Sequence, residues 1–570
     1  MATPLYDLEN VDVTPFALGI PEILENIFEH SDKFTNCNSN VLVCKTWLEP
    51  CLNVIWREVE DLSRLVKLLA PTSSHAMEFL RVNEPLNWDK FGFYARRVRR
   101  IYHEGNDSPL TNHTNFALRS LFTDIAYQRT SYNLCPNLKV LEWCGDASLY
   151  MKNPSVLFMS PSVRRYILHD VKPTSNELAF VLQTIADRCP NLNHILINID
   201  YVNQSYVDII RDFIQKVGEL HSVDLDPFED MSPIITALRD HPNLRELHLG
   251  DCHAIDDDLD KPAITSLALP SPCGNEFASL TLLNIAAAYA VVKDLLAIGL
   301  PLLQETIITS DLRKPETPST VKRLIETLAE KSPKVDDVHL SYGHIHDKNF
   351  TRFPPASCIV TMDHIRPLLS CTKMRNFVIK YPFPITLNDE FAEELTMSWP
   401  DLSYLQLSPK PLIRRKDFKN CFTLKALLSF ARHCPRISYL SFLVAPQSST
   451  CPTPADIENL PTPFFPKLRM LDVGSSMLYG CDKHDVTLTL ARILPARSYL
   501  RYHDKRKSED AETSPDDDGP LSPEAYNWES IMSQLTYVRY MDEKAKQEQK
   551  DLQTRIQELE AENERLRTQA

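Results

Sequence analysis

Apolar residues return along this chain in one fixed phrase, Pro-x-Leu-x-x-Leu-x-Leu, with other apolar residues allowed at the Leu positions. Copies open at Pro136, Pro161, Pro190, Pro242, Pro333, Pro400, Pro435 and Pro466. The three key positions are apolar in each copy, from Leu138, Leu141 and Trp143 to Leu468, Leu471 and Val473. Weaker copies stand at Leu220-Val223-Leu225, Leu280-Leu283-Ile285, Leu303-Thr306-Ile308 and Met374-Phe377-Ile379. With them there are twelve units, about thirty residues apart. Alternation at the end of the phrase predicts a short strand with one side buried and the other facing out. Helical spacing precedes most copies, as over 176–188, 206–217, 321–331 and 424–433. In the third of these, Val321, Leu324, Ile325 and Leu328 recur at three and four, one face of a helix. The following proline stops each helix, because it lacks an amide hydrogen and biases the residue before it to extended geometry.

A unit of helix, stop and short strand cannot hide its own apolar edge, so such units stack. The expected fold class is therefore α/β. The phrase resembles that of leucine-rich repeats, which implies a solenoid, or horseshoe, with strands inside the curve and helices outside. These units are longer and less regular than the roughly 20–29 residues usual for that family. An ordinary α/β domain with Leu-rich strands is the alternative. In the horseshoe, outward strand positions would hold a protein substrate. They are Glu142, Arg165, His169, His194, Asp224, Glu246, His248, His339, Lys380, Gln406 and Asp472, a set of mixed sign that names no substrate.

Ahead of the repeats, Pro21 suits the first turn of a helix. Ile23, Leu24, Ile27 and Phe28 then form an apolar stripe. After a polar break, Val43, Trp47, Leu48, Cys51, Leu52, Ile55 and Trp56 form a second, wider one. The strings Ile20-Pro21-x-Ile23-Leu24-x-x-Ile27-Phe28, Val43-Cys44-x-x-Trp47 and Ile55-Trp56 resemble an F-box. Leu42-Val43-Cys44-Lys45-x-Trp47, with Trp56-Arg57 and the later Phe91-x-x-Tyr94-Ala95-Arg96-Arg97-Val98-Arg99, is similar to fungal (basidiomycete-like) F-box and leucine-rich-repeat proteins. Two departures stand out: Ile20 replaces the usual Leu, and 35–40 is polar where many F-boxes carry small apolar residues. The resemblance implies docking on a Skp-type adaptor and, through it, a cullin. The chain would then be the substrate-recruiting subunit of an SCF-type ubiquitin ligase. It assigns adaptor contacts to Ile20, Pro21, Ile23, Leu24, Ile27, Phe28, Val43 and Trp47, with Cys44 and Trp56 packed inside the module. A plain helical cap on the stack, in a leucine-rich-repeat scaffold without ligase function, is the alternative.

The expected organisation is an all-α F-box-like module over 15–70, a helical linker or capping region over 71–130 and the solenoid over 131–500. A disordered acidic linker over 501–526 and a C-terminal helix over 527–570 follow. The linker is charged and nearly free of large apolar residues, too poor to offset chain entropy. Its Ser514-Pro515 and Ser522-Pro523 pairs fit either plain linker or phosphorylation sites. Leu552, Ile556, Leu559, Asn563 and Leu566 step by four and three with Asn at a heptad a position, as in a short coiled coil. Fewer than three clear heptads are present, so a solitary charged helix and a weak homodimer both fit.

Composition narrows the functions. A net charge of −15 argues against nucleic acid and against anionic membrane surfaces. The start of the chain holds no long apolar run, and Lys293 and Asp294 interrupt the apolar stretch 282–303, which reads as core. Fourteen cysteines without a C-x-x-C pair suggest free thiols in a reducing compartment, cytoplasm or nucleus. Twelve glycines are far below the roughly 7% usual in proteins, which disfavours phosphate-cradling loops. No nucleophile, nucleotide or zinc-protease motif occurs, so neither enzyme activity nor a cofactor is expected. Asp256, Asp257 and Asp258 with Asp260 lack the Gly and terminal Glu of a calcium loop. His339, His344 and His346 read as a surface loop rather than a zinc site, so no metal is expected.

Overall fold

The computed structural model describes residues 18–569 except 70–85, 104–121, 123–124, 130, 145–153, 170–172, 200–202, 251–263, 270–273, 275, 311–315, 343–358, 384, 412–420, 446–450, 459, 461–463, 477, 479–481 and 504–522. The aspartates at 256–260, His344, His346, the Ser-Pro pairs' serines and most of the expected acidic linker lie outside the described residues, as do the side chains of Asn563 and Leu566. The chain forms two compact units, one running to Gly250 and one taking up from Ser271, with the segment between them divided.

In the first unit the strands are β1 (Glu58–Val59), β2 (Arg100–His103), β3 (Val140–Cys144), β4 (Arg165–His169), β5 (His194–Ile197), β6 (Ser222–Leu225) and β7 (Glu246–Leu249). Each pairs in parallel with the next in chain order, forming an open sheet. The middle position of the phrase lies abreast throughout: Ile101, Leu141, Tyr166, Ile195, Val223, Leu247. The second unit repeats the arrangement with β8 (Leu282–Ala286), β9 (Glu305–Ser310), β10 (Asp337–Tyr342), β11 (Asn376–Ile379), β12 (Tyr404–Leu407), β13 (Tyr439–Phe442), β14 (Met470–Asp472) and β15 (Tyr499–Arg501). There Leu283, Thr306, Val338, Phe377, Leu405, Leu440, Leu471 and Leu500 stand in register. All of these middle residues are buried, and each apolar one contributes roughly 1.5–3 kcal/mol by leaving water. Register follows from this burial, since a slip by one residue would turn the apolar set outward.

The helices begin and stop as their sequences dictate. Thr174 and Glu177 form a reciprocal cap at the start of Ser175–Arg188, the Thr174 N–H donating to the Glu177 carboxylate at 2.8 Å. Thr317 caps Pro318–Lys331, whose first residue is a proline. Neighbouring helices pack on one another, and Ser175–Arg188, Pro318–Lys331, Asp389–Ser398 and Ala426–His433 each end two residues before a repeat proline.

The run of strands is longer than the phrase suggests. Within 71–130, expected to be a helical linker, Trp88–Ala95 is a helix and β2 a strand, so another helix–strand unit stands there. Val98 and Ile101 fill its first two key positions, but the third is His103, whose ring lies tilted against Trp143 with centroids 4.3 Å apart, and no proline marks the start. At the far end, β15 follows Pro495 with Arg497 in the first key position. The last helix spans Pro523–Gln569 and packs on Lys483–Ile493 through Trp528, Ile531 and Leu535. Among the described residues no helix is long and apolar enough to cross a membrane.

Candidate functional site

The N-terminal module is built on two helices, Pro21–Glu29 and Lys45–Ile55. Leu24, Phe28, Cys51 and Ile55 form its core, with Leu18, Cys37, Val41, Trp47, Val54 and Trp56 around them. Phe28 meets Trp47 edge to face at 5.4 Å. The polar stretch after the first helix is also helical: Lys33–Thr35, a wide turn Asn36–Asn40, then Val41–Val43. Asn36 explains its polarity. It is buried and donates from Nδ2 to the Phe28 carbonyl at 2.8 Å, satisfying the end of the first helix. Arg57 pairs with Glu25 and Glu29, and Asn53 donates to Glu25 at 2.7 Å, which ties the two helices together. Burial foremost, then neighbouring Cys37, pushes the Cys51 thiol up to about 11, so it is inert packing.

The apolar stripe of the first helix is split lengthwise. Leu24 and Phe28 are 0% and 1% exposed, whereas Ile20, Ile23, Ile27 and Val43 are 41%, 39%, 43% and 57% exposed. Assigning Leu24 and Phe28 to adaptor contact is therefore corrected: both are consumed by the module's own core. Pro21 is exposed and Trp47 half-buried. Cys44, expected inside, is exposed, because its extended backbone swings it out at the start of the second helix. Trp56 is half-buried, packed on Tyr94 with ring centroids 4.8 Å apart. Phe34, Leu42 and Leu48 of the same module are exposed as well. Sequence reasoning missed Phe34 and Leu42 because the polar stretch between them hid the helical spacing.

The alternate strand positions form two rows in each unit. In the first unit Arg165, His194, Ser222 and Glu246 stand abreast, and Leu196, Asp224 and His248 lie abreast in the next row. Glu142 is buried rather than presented, held by Arg100 at 2.7 Å with His169 at 3.8 Å. Burial foremost, then Arg165, pushes the His194 imidazole down to about 4; burial also lowers His248. In the second unit His339 pairs with Asp337 at 3.0 Å, Lys380 is exposed just past its strand, and Gln406 accepts from the Tyr404 hydroxyl at 3.2 Å. Asp472 is a further correction. It is almost wholly buried, bonded to His503 at 3.0 Å and to the Gly474 N–H at 2.8 Å. Burial alone would raise its pKa; the His503 contact, the Gly474 amide and Arg501 more than reverse this and hold it below the usual carboxylate range.

One outward row of the second unit was missed. Tyr404, Tyr439, Met470 and Tyr499 lie abreast on successive strands. Tyr404 and Tyr439 stack at 4.2 Å with rings 4° from parallel, and Tyr499 is 72% exposed. Each tyrosine follows the phrase's first key position by two residues, which is the signal that could have found it. Among the described residues no group of three or more His, Cys, Asp or Glu is placed to hold a metal ion.

No protein-family model and no curated protein matches the sequence. Among solved structures the chain is similar to one titled as the crystal structure of the Rad7 and Elc1 complex in yeast. The identity is 12% over 83% of this chain and 94% of that one, with a TM-score of 0.27. It is also similar to a chain of the octameric complex of Latrophilin 3 (Lec, Olf), Unc5D (Ig, Ig2, TSP1) and FLRT2 (LRR), at 11% identity over 73% and 78% of the two chains, with a TM-score of 0.24.

Proposed function

We propose that this chain is the substrate-recruiting subunit of a cullin–RING (SCF-type) ubiquitin ligase, without catalytic chemistry of its own. Its F-box-like module docks on a Skp-type adaptor through Ile20, Ile23, Ile27 and Val43, with Leu42 beside Val43 in sequence. Its leucine-rich-repeat strands present their outward rows to a protein substrate. The observation that carries this reading is the split stripe of the first helix. A helix that spends Leu24 and Phe28 on its own core has no internal reason to keep three isoleucines beside them. Exposed apolar groups clustered on one small module mark a protein-binding surface. The Tyr404–Tyr439–Met470–Tyr499 row supports the second half, because tyrosines supply large contact area at low entropic cost.

The test is co-expression of the full chain with a Skp-type adaptor and capture of either protein. A stable pair is expected, lost in an Ile23→Asp, Ile27→Asp variant that melts like the parent. Failure of the parent chain to capture the adaptor leaves the scaffold reading. One observation favours self-association alongside either reading: Leu552, Ile556 and Leu559 lie exposed along one stripe of the final helix, as an unpaired zipper would.

A further inference from the structure

In the first unit a cavity of about 300 Å³ opens where Arg57, Arg96, Arg97 and Arg99 converge with Glu25 and Glu49. Both carboxylates are already engaged, Glu25 by Arg57 at 3.2 Å and Glu49 by Arg97. Arg96 and Arg99 have no carboxylate partner among the described residues. Arg96 lies over the Phe93 ring at 4.8 Å, and Arg99 leans only on the carbonyls of Arg96 and Asn137 at 3.4 and 3.3 Å. Arg97 is 3% exposed at its side chain. Its terminal nitrogens donate to Glu49 and to the Phe93 carbonyl, while its buried Nε has no acceptor. Glu29 also pairs with Arg57, so four guanidiniums meet three carboxylates and still leave a positive excess in a chain of net charge −15.

Such an arrangement is costly without a counterion. Like charges repel, and a buried donor left without an acceptor loses its hydration for nothing. The cluster is also held in place beforehand. The N–H groups of Arg99 and Arg100 both donate to the Arg57 carbonyl, at 2.8 and 3.0 Å, and Asn137 donates from Nδ2 to the Arg96 carbonyl at 2.8 Å. Planar guanidinium forks match the oxygens of a phosphoryl group. The volume is at the lower end of ligand pockets, about 300–1,000 Å³, which suits a compact anion and not a large one.

We infer that this arginine cavity binds a small free phosphate ester or polyphosphate carrying at least two negative charges. The site is independent of adaptor docking, since it uses none of the exposed isoleucines. Titration calorimetry of the full chain with inorganic pyrophosphate at fixed ionic strength tests it, with a phosphoserine-containing peptide as a parallel arm. Saturable binding of one pyrophosphate per chain is expected. An Arg96→Gln, Arg99→Gln variant loses about tenfold or more in affinity, the effect of two missing charge-assisted donors, with unchanged melting in the absence of anion. Arg99→Lys, which keeps the charge and loses the fork, falls between. Arg436→Gln, far along the sequence and paired with Asp401 at 3.0 Å, binds like the parent. No saturable binding, equal affinity in the double variant, or binding confined to the phosphopeptide overturns the inference.

Discussion

The residue before each repeat proline is buried whatever its chemistry: Cys135, Ser160, Cys189, His241, Ser332, Trp399, Cys434 and Phe465. Cys189, Ser332, Trp399 and Cys434 share one backbone setting, φ from −118° to −133° with ψ of 61–72°, outside the helix region that a following proline disfavours, whereas Phe465 takes φ 48°. Trp399 is the largest of these plugs, edge-on to Phe377 at 5.4 Å. Trp399→Ala is expected to cost about 3–5 kcal/mol, read by urea unfolding; a loss under about 1 kcal/mol would show that the plug bears little weight. Charge at this scale gives a pH dependence. An unfolded histidine titrates near 6.5, while burial and Arg165 hold folded His194 near 4. Between those values the folded chain binds fewer protons than the unfolded one. The stability tied to neutral His194 is therefore complete above about pH 6.5 and drains away as pH falls toward 4. His194→Asn should shrink the stability lost between pH 7 and pH 4.5 by on the order of 2 kcal/mol, and an undiminished slope in unfolding titrations would contradict this. The split stripe makes a paired prediction: Leu24→Ala costs about 2–5 kcal/mol, whereas Ile23→Asp leaves the melting temperature near the parent's.

At the level of elements, the final helix has two halves with different jobs. Trp528, Ile531 and Leu535 bury against Lys483–Ile493, Trp528 donates from Nε1 to the Ser476 carbonyl at 3.0 Å, and Arg539 donates to the Ser498 carbonyl at 2.7 Å. This half packs at the C-terminal end of the second unit, where β15 is the last strand of the sheet among the described residues. Trp528→Ala should destabilise the chain by about 3–5 kcal/mol. Truncation after Glu543 should leave stability unchanged and abolish any self-association seen by sedimentation at high concentration. A truncated chain that still associates would place the contact elsewhere. The spacing Trp528, Ile531, Leu535 was visible in the sequence as three-then-four, yet reading the helix from 527 onward as solitary or paired overlooked that its first turns have a partner within the chain. The module's middle helix was hidden in the other direction: Asn36 is polar because it caps a helix from inside, and hydropathy alone cannot separate a buried cap from a loop.

For the whole molecule, the repeat was legible because each unit writes its strand in the same local phrase, and parallel pairing in chain order needs no long-range information beyond that phrase. The two ends of the array were less legible: β1 lies within 15–70, expected to be all-α, and His103 of β2 and Arg497 before β15 stand where the phrase wants an aliphatic residue. The outward rows were legible as positions but not as surfaces. Glu142 and Asp472 look presented in one dimension, and only three-dimensional neighbours, Arg100 for one and His503 for the other, draw them in. The same holds for the proposed docking surface, where the stripe could be read and its division between core and exterior could not. A divided stripe that serves as a docking face must lose solvent access when the adaptor binds. Hydrogen–deuterium exchange of the full chain with and without a Skp-type adaptor measures it most directly. New protection confined to peptides covering 19–28 and 41–48 is expected, with the repeat strands unchanged. Protection that spares those peptides, or no protection at saturating adaptor, would contradict it.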